Sequence, residues 1–436
     1  MVYMPKKPLP LVELTLDRII GGGQTIGKLS TGKKCLVWGG LPGERVVAQI
    51  TKKKSNFVEG VVTEVQGASS ERITPRDPES YLSTSPWQIM DFTSEAHYKA
   101  ALIEEAFELH DIVLPGAIEV WSDGREYEYR NKVEFSFWYD TDKRTLDLAF
   151  FRRGSHGKIT VQGTSLAAPV INETAHKILE VLRTLQIDGR SLKTLLIRSN
   201  RTGQVAWQLY VKDEDFDHAQ LAEALGELAN SGEIIYSNPQ SPASVITKRL
   251  VSGPNIVLED TILDVPFRYA TEGFFQINLP VYEQALRDIQ QWIEPHKPVV
   301  DLYSGVGTIG LTIGGDNVTL VEINEHAVRE MVRNIAEHSR EGEAKAVLAA
   351  SENALEYISS DATIIVDPPR AGLHEKVVEK LLEAAPERII YLSCNPVTQA
   401  RDVARLAEKY GIRHHQGYNF FPRTPHIEHL VILDKI

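Results

Sequence analysis

The chain of 436 residues holds two cysteines, and one of them stands where a nucleophile would be useful. Cys394 directly follows the apolar run Arg388-Ile-Ile-Tyr-Leu-Ser393 and precedes Asn395-Pro396. That spacing predicts a strand-to-loop turn, where a side chain is exposed. Three carboxylates end similar runs: Asp301 after Val299-Val300, Glu322 after Leu320-Val321, and Asp367 after Thr363-Ile-Ile-Val366. A fourth, Glu428, follows Thr424-Pro-His-Ile427. A thiol beside carboxylates suits one chemistry well. Carbon 5 of a uracil ring is a poor nucleophile, but thiolate addition at carbon 6 turns it into an enolate that can attack a methyl sulfonium. A base must then remove the carbon 5 proton so that the thiolate can leave. Glu428 is the candidate base, and His426, two residues earlier, is expected on the same strand face.

The methyl donor is read from the stretch Asp301-Leu-Tyr-Ser-Gly-Val-Gly-Thr-Ile-Gly310. Gly305–Gly310 satisfies the GxGxxG pattern of dinucleotide sites, which alone is weak. A carboxylate at the strand tip would repel a pyrophosphate at the following helix. It would favour S-adenosylmethionine (SAM), which has no phosphate and carries an ammonium and a sulfonium. Glu322, at the tip of the next apolar run, is spaced to accept both ribose hydroxyls. A nicotinamide oxidoreductase using the same glycines is disfavoured by Asp301.

These groups need a scaffold that brings strand tips together. Residues 254–436 alternate apolar strand runs with amphipathic helices, which predicts a doubly wound, Rossmann-like α/β sheet whose strand C-terminal ends line one crevice. Upstream, residues 8–67 read as five short strands with glycine corners (Gly21-Gly-Gly23, Leu41-Pro-Gly-Glu44), an OB-like barrel of the kind that binds oligonucleotides. Residues 68–112 read as a linker and a helix at Ala96–Leu109. Residues 113–253 read as an α+β domain. Basic runs at Lys52-Lys-Lys54, Arg130-Asn-Lys132 and Arg152-Arg-Gly-Ser-His-Gly-Lys158 are candidate phosphate contacts. Each reads equally well as a solvated charged face.

Composition is that of an ordinary globular protein, with 42% hydrophobic and 24% charged residues. The net charge of −12 argues mildly against nucleic acid, but residues 1–60 carry ten Lys/Arg against four Asp/Glu, a basic module on an acidic body. Two cysteines cannot build a disulfide framework, the N-terminus lacks a signal-peptide core, and no apolar run could cross a bilayer, so a cytoplasmic protein is expected. Nothing points to an obligate dimer, and a monomer is expected.

Taken together and in order, Phe274-Phe-Gln276, Asp301-Leu-Tyr-Ser-Gly-Val-Gly307, Asp367-Pro-Pro-Arg370, Ser393-Cys-Asn-Pro396 and Phe421-Pro-Arg-Thr-Pro-His-Ile-Glu428 resemble the RNA uracil-5 methyltransferases. The N-terminal segment is similar to the TRAM module of the ribosomal-RNA branch, and Tyr129-Arg-Asn-Lys132 resembles that branch's central-domain signature. The resemblance implies Cys394 as nucleophile and Glu428 as proton acceptor. It implies SAM contacts from Gln276, Tyr303, Glu322, Asn353 and Asp367, with Gln276 and Asp367 also close to the target base. Members of this layout often hold an iron–sulfur cluster on four cysteines. Here the corresponding stretches, Asp77, Leu82-Ser-Thr-Ser-Pro-Trp-Gln88 and Thr164-Ser-Leu166, contain no cysteine, so no cluster and no metal site are expected. The expected partner is structured RNA, 23S ribosomal RNA first and the transfer-RNA T-loop second. A catalytically silent RNA-binding assembly factor is the reading from another class.

Overall fold

The computed structural model describes residues 10–155 and 157–436. Residues 8 and 9 of the expected barrel and His156 of the basic turn lie outside the described residues. Five strands, Leu11–Ile19, Thr25–Lys28, Lys34–Trp38, Arg45–Lys53 and Phe57–Gly67, close into a barrel in the order first, second, third, fifth, fourth. Alternation along each strand turns Leu14, Leu16, Cys35, Val37, Val46 and Ala48 inward, as period-two patterning demands. Cys35 is a buried core residue, its thiol pushed up to about 11 by burial.

The segment after the barrel is tied down by side chains. Arg72 reaches Glu44 with Nε at 2.5 Å and Nη2 at 2.8 Å, and Trp87 Nε1 donates to Gly23 O at 3.0 Å. Asp77 gathers the stretches that the resemblance compares with cluster cysteines: Gln88 Nε2, Thr164 Oγ1 and Ser165 Oγ all donate to its Oδ2, at 3.1, 3.1 and 2.9 Å. A hydrogen-bonded node centred on one carboxylate thus joins the linker to the next domain.

The helix Phe92–Glu108 starts where Asp91 accepts from Ser94 N at 2.9 Å, an N-cap. It packs Ile103, Ala106 and Phe107 onto the C-terminal sheet. Val120–Trp121 then pairs in parallel with Gly417–Tyr418 and forms the edge of that same sheet. A domain start at residue 113 groups this edge strand with the central domain, although it pairs about 300 positions away in the C-terminal sheet, which leaves no local signal.

The central domain is a seven-stranded sheet ordered Lys248–Ser252, Gly232–Tyr236, Val205–Val211, Leu192–Ser199, Lys132–Asp140, Thr145–Phe151, Lys158–Thr160. Helix Pro169–Thr184 covers one face, burying Ile171, Ile178 and Leu182 against Phe135, Leu195 and Leu209. The C-terminal domain is an eight-stranded sheet, Ala344–Leu348, Val318–Glu322, Val299–Leu302, Thr363–Val366, Arg388–Ser393, Glu428–Lys435, Tyr410–Tyr418 and Val120–Trp121. The first five are parallel neighbours, and Glu428–Lys435 runs antiparallel to both of its neighbours. Both faces are covered: Val299, Ile365 and Ile390 meet helix Leu279–Gln290, while Val300, Ile364 and Ile389 meet helices Glu375–Ala384 and Pro396–Leu406. The doubly wound sheet and the small barrel agree with the sequence reading.

Candidate active site

Parallel pairing sets the strand tips side by side, with Leu302 opposite both Val321 and Val366, and Val366 opposite Tyr391. The backbone after Leu302 turns sharply: Tyr303, Gly305 and Gly307 have φ of 66°, 57° and 89°, a region that glycine enters freely and tyrosine does not. Two carboxylates hold this turn. Glu322 accepts from Gly305 N at 3.0 Å and Asn324 N at 2.7 Å, and Asp301 Oδ2 accepts from Gly310 N at 3.0 Å. A Cβ at Gly310 would stand 2.3 Å from Leu320, so glycine lets the short helix Thr308–Ile313 lie against the sheet.

The cavity above the turn is lined by Gln276, Tyr282, Tyr303, Ser304, Thr308 and Asp367, with Phe274 at its rim, 72% exposed. Asp301 is fully buried beneath it and is not among the lining residues. Burial pushes its carboxyl up to about 8, and its Oδ1 has no partner. Asn353 lies exposed in the turn after strand Ala344–Leu348 and is not among the lining residues.

Cys394 ends strand Arg388–Ser393 and stands half-buried just before helix Pro396–Leu406. Burial first, then the charges of Glu428 and Asp367, push its thiol up to about 12, with Arg370 opposing. Asn395 Nδ2 donates to Arg370 O at 2.8 Å and Thr398 Oγ1 to the same oxygen at 3.2 Å, which pins the Asp367-Pro-Pro-Arg370 loop beside the cysteine. Asp367 is raised to about 7 by burial. Glu428 opens a strand in the sheet interior, 5% exposed, with Oε2 lacking a partner. Burial and Asp367 raise its pKa well above the usual range. Burial thus favours the uncharged forms of the thiol and of both carboxyls.

His426 departs from expectation. The strand begins at Glu428, so His426 belongs to the preceding loop and shares no strand face with it. It faces Arg370, whose Nη2 lies 3.0 Å from its Nδ1. Desolvation, then the charges of Arg370, Lys99, Arg130 and Arg153, hold its pKa down at about 4, so it is neutral.

The loop carrying Glu428 is fixed by residues that sequence reasoning passed over. Glu95 and Lys99, both fully buried on helix Phe92–Glu108, form an ion pair at 3.0 Å. Lys99 Nζ also donates to Asn419 Oδ1 at 2.5 Å and Phe421 O at 3.1 Å, while Arg423 N donates to Glu95 at 3.0 Å. Their spacing along the helix was visible, but their partners lie over 300 positions away. Two expected phosphate contacts are also engaged internally: Asn131 Nδ2 donates to Gln276 O at 2.8 Å and Lys132 Nζ to Glu272 O at 3.1 Å. Arg153 bonds to Leu82 O and lies over the Trp38 ring. The carbonyls they meet could not be foreseen from a charge run.

A doubly wound sheet with a glycine turn, and a thiol and two buried carboxyls at the strand tips, defines a group-transfer enzyme of the methyltransferase type. The family model of the tRNA (Uracil-5-)-methyltransferases matches residues 95–436, and that of the TRAM domain matches residues 14–63. The chain belongs to the RNA (uracil-5-)-methyltransferase family. Its curated relatives include uncharacterized RNA methyltransferases of Enterococcus faecalis, 27% identical with 91% of each chain covered, and of Lactobacillus johnsonii, 28% identical over 93% of this chain and 94% of the other. Among solved structures, it shares its fold with the Pyrococcus abyssi tRNA (uracil-54, C5)-methyltransferase in complex with S-adenosyl-L-homocysteine. The TM-score is 0.76 at 22% identity, covering 96% of this chain and 100% of that one. No helix among the described residues is long and apolar enough to cross a membrane.

Proposed function

We propose that the protein forms 5-methyluridine in structured RNA, with 23S ribosomal RNA as the first substrate to test and SAM as the methyl donor. The observation that carries the reading is that Cys394, Asp367 and Glu428 stand at adjoining strand ends, where Glu428 and Asp367 raise the pKa of the Cys394 thiol and Asp367 raises that of Glu428. Gln276, Tyr303 and Asp367 line the cavity and would hold SAM together with Glu322, which would accept from its ribose, and Asn353. The fit rests on the cavity lining above the glycine turn, where Gln276, Tyr282, Tyr303, Thr308 and Asp367 offer hydrogen-bonding groups and no lysine or arginine for a phosphate. When bound, SAM supplies an electrophilic methyl group.

The chain's own residues do the rest. The target base leaves its stack to reach the half-buried thiol. Cys394 passes its proton to the Asp367 carboxylate and its sulfur bonds to carbon 6, placing electron density on carbon 5, while Glu428 stays ionised. After carbon 5 has gained the methyl group, ionised Glu428 removes the remaining carbon 5 proton. The electron pair of that C–H bond restores the ring double bond, and the sulfur–carbon 6 bond breaks to return Cys394. Gln276 and Asp367 hold the polar edge of the base.

Transfer RNA is the second reading, favoured by the full-length likeness to the Pyrococcus abyssi enzyme: the barrel does not by itself select ribosomal RNA. Nucleoside mass spectrometry on unmodified 23S ribosomal RNA and unmodified transfer RNA, each incubated with enzyme and SAM, tests both. 5-Methyluridine in one RNA, and none with Cys394→Ala, is the expected result. No product in either RNA would reject the enzymatic reading in favour of a silent RNA binder.

A further inference from the structure

Residues 271–276 carry Phe274 at the cavity rim and Gln276 on its wall, yet they belong to no helix or strand. Backbone carbonyls in such a segment need partners, and here most come from another domain. Arg198 Nη1 donates to Ala270 O at 3.2 Å and Gly273 O at 2.8 Å, and Nη2 to Phe275 O at 3.4 Å. Lys132 takes Glu272 O and Asn131 takes Gln276 O. Arg249 and Gln208 hold the Glu272 carboxylate, at 2.5 and 2.8 Å. All five side chains come from the central sheet or from the residue just before its strand Lys132–Asp140.

Arg198 stands at the centre of this set and is unusual on two counts. It is 1% exposed, with no carboxylate partner within ion-pair distance among the described residues and with Nε unpartnered. It also sits directly opposite Lys132 in the antiparallel pair. Like charges opposite one another, and a buried guanidinium with a donor unmet, both destabilise a sheet. A methionine there would be the simpler core residue. The two cations share one further property: both point their donors at the 270–276 backbone.

We infer that Arg198 is a positioning residue, which fixes the Phe274–Gln276 segment from the central domain and so completes the cofactor and base pocket with a part that lies outside the doubly wound fold. The inference rests on the proposed role of Gln276 at that pocket.

A double-mutant cycle on the full chain tests it, with SAM affinity read by isothermal titration and turnover by methyl incorporation into the RNA identified above. Arg198→Met is expected to weaken SAM binding by about tenfold, the scale of a charge-assisted hydrogen bond, and to lower kcat. Arg198→Lys should recover part of the loss. In a Gln276→Ala background Arg198→Met should cost less than about twofold more, because residues acting through one contact are not additive. Full multiplicative loss in the double variant, wild-type affinity in Arg198→Met, or a silent Gln276→Ala beside a damaged Arg198→Met would each overturn the inference. If Arg198→Met lacks a cooperative unfolding transition, Asn131→Ala, which removes only the bond to Gln276 O, carries the same cycle. A wild type that binds SAM but methylates neither RNA rejects the functional reading and leaves the cycle readable on affinity. A wild type that does not bind SAM overturns both.

Discussion

A thiol held near pH 12 is a poor nucleophile at neutral pH, and the groups that raise Cys394 also explain how it can react. The first cause is burial, followed by the charges of Glu428 and Asp367. A base stacked into the site would share the thiol's low-dielectric surroundings, and a proton passed from sulfur to a neighbouring carboxylate leaves no net charge uncovered. In the proposed mechanism Asp367 takes the thiol proton and Glu428, as carboxylate, is the base at carbon 5. Glu428→Gln keeps the shape and removes the base, so addition and methyl transfer should proceed and elimination should stall. Turnover is expected to fall by about a hundredfold or more, and a protein–RNA adduct that survives denaturation should accumulate on a gel. Unchanged turnover without an adduct would exclude Glu428 as the base. Cys394 and Glu428 were legible in sequence because each follows a short apolar run or a fixed motif. The neutral state of His426 was not legible, since it depends on four cations drawn from four separate segments.

At the scale of elements, the helix Phe92–Glu108 does more than connect the barrel to the central domain. Its Glu95–Lys99 pair is fully buried and reaches into the loop that delivers Glu428. Removing Lys99 leaves buried Glu95 with only the longer ion pair to Arg423, at 3.8 Å, and strips Asn419 and Phe421 of their donor. Lys99→Met is therefore expected to cost about 3–5 kcal/mol, seen as a lower denaturant midpoint at pH 7. Glu95→Gln combined with Lys99→Met should recover part of that loss. The helix itself could be read from its periodicity, with observed ends a few residues from those expected. Its buried charges read as an ordinary solvated i,i+4 pair, because nothing local reveals that Asn419 and Arg423 close over them. The same limit hid Arg198, which in sequence is one of several polar residues in its strand, with Lys193, Thr194 and Ser199. Asn131 and Lys132 drew notice as phosphate ligands because a charge run shows the donor and not the carbonyl that takes it.

At the scale of the molecule, an acidic protein binds an acidic polymer through local arrangement of charge. Lys52 and Lys53 end the fourth barrel strand exposed, Lys54 follows, and the neighbouring Thr51 lies against Gly154 in the basic turn of the central domain. The two basic runs therefore meet on one surface. Replacing Lys52, Lys53 and Lys54 together by glutamine should reduce the slope of log K for RNA against log salt by about 2. SAM affinity should not change, and an unchanged slope would remove the barrel lysines from the RNA contact. The order of strands in the C-terminal sheet has another consequence, for how the protein is made. Glu428–Lys435 is threaded between Arg388–Ser393 and Tyr410–Tyr418, both synthesised before it. Until residue 428 leaves the ribosome, those two strands present bare hydrogen-bonding edges to each other and to solvent. The nascent chain also lacks its base, so a partly translated copy that had already gathered its cysteine and glycine turn could at most form an adduct with RNA, without completing a turnover. Sheet closure and competence to release product arrive with the same eight residues.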